Sequence, residues 1–242
     1  MNERLRLTAS AAFHGYRIPR DYCGNINDGK INCVRFVKVL SNFRRFLDLL
    51  PKTVYANIYQ KQEVFVMNDY ALALEQKAET VAHRRFLHQN AEVGLQMPKA
   101  VDYVMRTLEE AGLQPEKCGH GVTAQVGSGG KTLLLRADMD ALPMPELSGE
   151  AFACPTGTEN HACGHDFHAA MLLSAAKLLK QQESELKGTV RFMFQPAEET
   201  FEGSRDMIGQ GILEGVDAAL AFHVTPGKSP VGLVMYNSAA SR

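Results

Sequence analysis

Apolar residues fall three and four apart from Tyr70 to about Gln89, which places Leu74, Ala78, Val81 and Ala82 on one helical face. The same spacing returns from Pro98 to Ala111, with Val101, Val104, Met105, Leu108 and Ala111 inward. Proline suits the first position of that helix, and Gly112 stops it. Gly121 to Val126 then predicts a strand. Gly127-Ser128-Gly129-Gly130 predicts a hairpin turn, because this glycine run lacks the Lys-Ser/Thr of a phosphate loop. Thr132 to Arg136 is a continuous apolar run of the kind buried on both faces of a sheet. Further apolar strands are predicted at Thr189 to Phe194, Asp217 to Phe222 and Pro230 to Tyr236. Between them, a helix from about Phe167 to Gln182 turns Ala169, Leu172, Leu173, Ala176 and Leu179 inward, and a shorter one covers Gly203 to Gln210. Strands alternating with helices predict an α/β fold with a mostly parallel sheet and helices on both faces.

Residues 1–66 lack this regularity. Val34 to Leu50 predicts a helix through Phe36, Leu40, Phe43, Leu47 and Leu50, with Pro51 after it, while Gly15, Pro19, Gly24 and Gly29 read as loop. Charge divides at the same place. Residues 1–66 hold 11 Lys/Arg against 5 Asp/Glu, and residues 67–242 hold 15 against 22. Met67-Asn68-Asp69 stands where the pattern becomes regular. The expected division is therefore a basic extension over 1–66, upstream of a natural start at Met67, and a catalytic-type domain over 67–242. A nucleic-acid-binding arm at 1–66 is the weaker reading.

Over the whole chain the net charge is −1, which argues against nucleic-acid and membrane-surface partners. No apolar run approaches the length that spans a bilayer. Five irregularly spaced cysteines argue against a disulfide framework and for a reducing, cytoplasmic setting. Cys23 and Cys33 have no partner pair for a zinc site and read as ordinary thiols.

The chemistry concentrates in His161-Ala-Cys163-Gly-His165-Asp-Phe-His168, which packs three histidines, a cysteine and an aspartate into eight residues. Cys and His bind borderline metals, and Asp is the usual partner that orients a ligating His. Four such groups in one loop favour metal binding over a polar loop with a buried thiol. Asp138 and Asp140 emerge where the Thr132 strand ends. Glu198 and Glu199 follow the Thr189 strand through Pro196, and His223 follows the Asp217 strand. In a parallel sheet those ends converge on one edge, where ligands bind. Carboxylate, imidazole and thiolate together suit zinc, manganese or cobalt, and a thiolate can bridge two ions. Two consecutive glutamates suit a division of labour in which one coordinates and its neighbour moves protons.

At Arg136-Ala-Asp-Met-Asp-Ala-Leu-Pro143, His161 to His168, Gln195-Pro-Ala-Glu-Glu199 and Ala221-Phe-His-Val224, the chain resembles the aminoacylase, hippurate hydrolase and auxin-conjugate hydrolase family of dinuclear metallopeptidases. A similar helical opening stands at Arg84-Arg-Phe-Leu-His88, and the resemblance covers roughly Met67 to Asn237. It implies a three-layer αβα zinc-peptidase-like fold, incomplete here. It implies two divalent ions, manganese or zinc first, with cobalt or nickel as further candidates. Cys163 would bridge them, and His165, Glu199 and His223 would be ligands. Glu198 would be the general base and Asp140 the supporting aspartate. Asp138 falls where wider relatives place a metal-binding His, and it is not assigned as a ligand because Cys163 is present. The implied reaction is hydrolysis of an N-acyl amino acid to a carboxylic acid and a free amino acid. Relatives continue after a stretch like Val231 to Tyr236 into a lid domain through which they often homodimerise, and then supply a last histidine ligand. The resemblance therefore implies the first half of a catalytic domain. The alternative is a catalytically incompetent, truncated metal-binding fragment.

Overall fold

The computed structural model describes residues 69–225. The expected Val34 helix, the Pro230 strand, Cys23, Cys33 and the boundary at Met67 lie outside the described residues. Helix α1 spans Lys77–Gln89 and α2 spans Pro98–Glu110. Residues 72–75 are helical as well, and a turn at Gln76 separates them from α1, so the single helix expected from Tyr70 is interrupted there. Strands β1 (Glu116–Cys118), β2 (Gly121–Gly127) and β3 (Thr132–Asp138) follow. Then come α3 (His165–Gln181), β4 (Thr189–Gln195), α4 (Gly203–Gly209) and β5 (Ala218–Ala221). Among the described residues, no helix is long and apolar enough to cross a membrane.

The five strands form one sheet in the order β1-β2-β4-β3-β5. It is mixed rather than mostly parallel: β3 runs parallel to β4 and β5, while β2 is antiparallel to both β1 and β4. Gly127 to Gly130 is consequently not a hairpin turn. β4 lies between β2 and β3, so the glycine run carries the chain past an intervening strand, and the hairpin is β1–β2 instead. Leu133 and Leu135 share one face of the sheet with Val190, Phe192 and Phe194, as alternation and the β3–β4 register require. The other face carries Leu134 and Met193, which pack with Cys118, with Met207 of α4 and with Ile212. Both faces are thus buried, which explains the uninterrupted apolar run of β3.

Candidate metal centre

Three neighbouring parallel strands end on the same edge of the sheet, and each delivers polar groups there. β3 ends at Asp138 and leads to Asp140, β4 leads through Pro196 to Glu198 and Glu199, and β5 leads to His223. The turn before α3 adds Cys163, and the first residue of α3 is His165. Two backbone features aim these groups. Ala197 is fully buried at φ 46°, a left-handed conformation that turns the chain toward Glu198. The main-chain N–H groups of Glu202 and Gly203 both donate to Ala197 O, closing the turn. A Cβ at Gly203 would fall 1.6 Å from Pro196 O, so only glycine fits that approach.

His165 is fully buried at the centre of the cluster. Its Nδ1 donates to Asp140 Oδ1 at 3.2 Å. Its Nε2 has no hydrogen-bond partner and lies 3.7 Å from Glu199 Oε1, 3.8 Å from Glu198 Oε2 and 3.8 Å from Asp138 Oδ2. Glu199 Oε1 and Asp138 Oδ2 are likewise buried without a hydrogen bond. Arg136 Nη1 stands 2.7 Å from Asp138 Oδ2 and supplies positive charge there without an aligned N–H. On the other side of His165, Cys163 Sγ is 3.4 Å from His223 Nε2, and His223 Nδ1 donates to Val224 O at 2.6 Å. Both rings therefore spend Nδ1–H on an oxygen and present the Nε2 lone pair, the arrangement that second partners impose on ligating histidines. Donor atoms of Cys163, His165 and His223 lie within 4.8 Å of one another, as do those of His165, Glu198 and Glu199 and those of Asp138, His165 and His168.

Each unpartnered buried polar atom costs on the order of 1–3 kcal/mol, and native interiors leave few of them. Here His165 Nε2 and Glu199 Oε1 are unpartnered and face one point, with Asp138 Oδ2, ion-paired to Arg136, beside them. Thiolate, imidazole and carboxylate donors so disposed fit divalent cations. Burial, a hydrogen bond with Glu199 and the surrounding carboxylates push the Cys163 thiol up to about 12, so its thiolate needs a cation beside it. Burial pushes the Asp138 carboxyl up, but the His168 hydrogen bond and Arg136 outweigh it and bring it down to about 2. Burial likewise opposes ionisation of Asp140, and its bonds from His165 and from the main chain of Glu199 and Glu198 still hold it below the ordinary carboxylate range. Glu198 and Glu199 are both partly open to solvent, their side chains 32% and 30% exposed.

All six residues expected from the sequence, Asp140, Cys163, His165, Glu198, Glu199 and His223, come together here, with Asp138 among them. Two members of the central motif do not. Asp166 turns away to accept from His88 Nδ1 at 2.7 Å, with Arg84 Nε 2.8 Å off, so Asp140 and not the motif's own aspartate orients His165. His161 is buried near His88, and burial holds its ring down to about 4. Sequence reading counted His168 among the motif's metal-binding groups without giving it a role of its own, and gave none to His88 or Glu146. Only the three-residue step from His165 to His168 along α3, and the Arg84–His88 step along α1, hinted that these side chains face something specific.

A mixed sheet with thiol, imidazole and carboxylate donors gathered around the buried His165 at the ends of its parallel strands defines a candidate metal centre in an α/β protein. Residues 134–238 match the family model for Peptidase family M20/M25/M40. The chain is 42% identical over 147 residues to N-acetyl-L-cysteine deacetylase of Bacillus subtilis (strain 168), covering 59% of this chain and 35% of that protein. It is 37% identical over 155 residues to N-acyl-L-amino acid amidohydrolase of Geobacillus stearothermophilus, covering 62% and 42% respectively. The fold matches the Bacillus subtilis YXEP protein, described as a dinuclear metal binding peptidase from the M20 family, with a TM-score of 0.60 and 39% identity over 62% of this chain and 43% of that one. The chain thus spans well under half the length of these relatives.

Proposed function

We propose that the site holds two divalent ions, zinc or manganese, and hydrolyses the amide bond of N-acyl amino acids. The observation that carries this reading is the meeting of two unpartnered buried atoms, His165 Nε2 and Glu199 Oε1, 3.7 Å apart, with the donor atoms of Cys163 and His223 beside His165. In this reading Cys163, His165, Glu199 and His223 are the residues of this chain that would hold the ions. The ions would supply electrophilic polarisation of the scissile carbonyl and a lowered pKa for the attacking water. Glu198, partly exposed and 3.8 Å from His165 Nε2, faces both the donor set and solvent. It takes the proton from the attacking water as the C–O bond forms and hands it to the departing amine as the C–N bond breaks. Asp140 serves by position: one oxygen fixes the His165 ring and the other accepts the Glu199 main-chain N–H at 3.0 Å. The relatives named above, an N-acetylcysteine deacetylase and an N-acyl amino acid amidohydrolase, support the substrate class. A reducing, cytoplasmic setting keeps the Cys163 thiol available.

Elemental analysis after supplying zinc or manganese should find close to two ions per chain. Glu198→Gln should keep the ions and lose about 10²–10⁴-fold in turnover of N-acyl amino acids. A folded sample that takes up no ion overturns the reading. Ion binding without turnover in the unmutated chain would instead mark a non-catalytic metal-binding protein.

A further inference from the structure

His168 has no ligand role in the reading above, yet it is buried, 3% exposed, one helical turn beyond His165. Its Nδ1 lies 2.5 Å from Asp138 Oδ1, and its Nε2 accepts the main-chain N–H of Val224 at 2.8 Å. The second bond defines the ring. A nitrogen that accepts from an amide carries no proton, so the proton sits on Nδ1 and is donated to Asp138. Asp138 is itself pinned by Arg136, which gives the ring a fixed footing.

Val224 is the residue after His223 and is held at three points. Its N–H is held by His168, and its carbonyl accepts from His223 Nδ1. Its side chain meets Gly164, where an added Cβ would fall 2.4 Å from Val224 Cγ2. Strand β5, which delivers this segment, is only four residues long and half-exposed along its length, so it packs too little to fix its own end. The three contacts at Val224 do so instead, and they bring His223 Nε2 to 3.4 Å from Cys163 Sγ.

We propose that His168 is a positioning residue: anchored by Asp138 as the Nδ1–H tautomer, it grips the backbone at Val224 and so sets His223 against Cys163. Both nitrogens of His168 are committed to these bonds, which leaves it no lone pair for an ion. The proposal deepens the metal reading where it concerns ion affinity, but the grip itself is testable without any metal.

In the metal-free protein, ¹⁵N spectra should show His168 Nδ1 protonated and Nε2 bare, and the Val224 amide should be protected from exchange. A protonated Nε2 overturns the proposal. Two variants separate the two bonds. His168→Asn keeps an amide within reach of Asp138 but falls short of Val224, whereas His168→Gln reaches Val224 with an acceptor oxygen. Val224 exchange should speed up at least tenfold in the Asn variant and stay near the parent rate in the Gln variant. Titration with Co(II), followed by visible absorption, should show a 10–100-fold loss of affinity in His168→Asn and recovery in His168→Gln. Equal losses in both variants, or unchanged Val224 exchange in His168→Asn, would show that the ring acts only as packing and overturn the proposal. If the parent chain takes up no cobalt while the tautomer and exchange results hold, the grip stands and the metal reading fails.

Discussion

Ala197 sits fully buried at φ 46°, one residue before the glutamate assigned as base. A left-handed conformation costs a non-glycine residue on the order of 1–2 kcal/mol, because Cβ crowds the following carbonyl. Alanine is the smallest side chain that still fills the buried space, and a β-branched one would raise both the backbone strain and the crowding. Ala197→Val should therefore destabilise the protein by about 2–4 kcal/mol, read as a lowered urea midpoint at unchanged slope. The sequence announced Glu198 and Glu199 because they follow a buried strand and a proline. It gave no sign of the handedness of the turn that aims them, since alanine carries no conformational signature. His168 was illegible for a different reason: its decisive partner is a main-chain N–H 56 residues away, and backbone groups look alike at every position.

Between elements, one buried tie is ionic. His88 on α1 places Nδ1 2.7 Å from Asp166 in the first turn of α3, and Nε2 2.8 Å from Glu146 in the loop after β3. Arg84 and the His161 ring complete its surroundings. Burial alone would lower the His88 pKa, but the two carboxylates outweigh it and raise it above the ordinary 6.5. Burial opposes ionisation of Glu146 too, and its bonds from Ser148, His88 and the Cys154 main chain bring it down to about 2. The signs follow. A raised histidine contributes stability that is complete below pH 6.5 and is lost as pH climbs through the folded value. The depressed Glu146 and Asp138 contribute stability present above 4.5 and 3.8, lost as pH falls toward 2. Buried His161, held down to about 4, contributes stability that is lost as pH falls below 6.5, so melting temperature at constant salt should peak near pH 6.5 and fall on both sides, and His88→Gln should flatten the alkaline limb. A monotonic rise through pH 8 in the parent would contradict this. Helical spacing displayed Arg84 and His88 as neighbours on α1. The partners of His88 lie 78 and 58 residues on, beyond what periodicity reaches.

At the scale of the molecule, the apolar runs of β3 and β4 made the strands legible to within a residue or two. Their order in space was not, because consecutive strands are neighbours often but not always. β4 enters between β2 and β3 and turns an expected hairpin into a crossing. That topology separates the two ends of the sheet by purpose. Gly127, Thr132 and Thr189 share the end away from Asp138 and Gln195, seven residues or about 20 Å of strand apart. At that far end, Gly129 has nothing within 4 Å of where a side chain would begin. It is a natural point of attachment. A short affinity peptide or a dye inserted between Ser128 and Gly129 should leave ion uptake unchanged, as parallel elemental analysis would show. The molecule could then be fixed to a sensor surface with its donor set turned outward to whatever is passed over it.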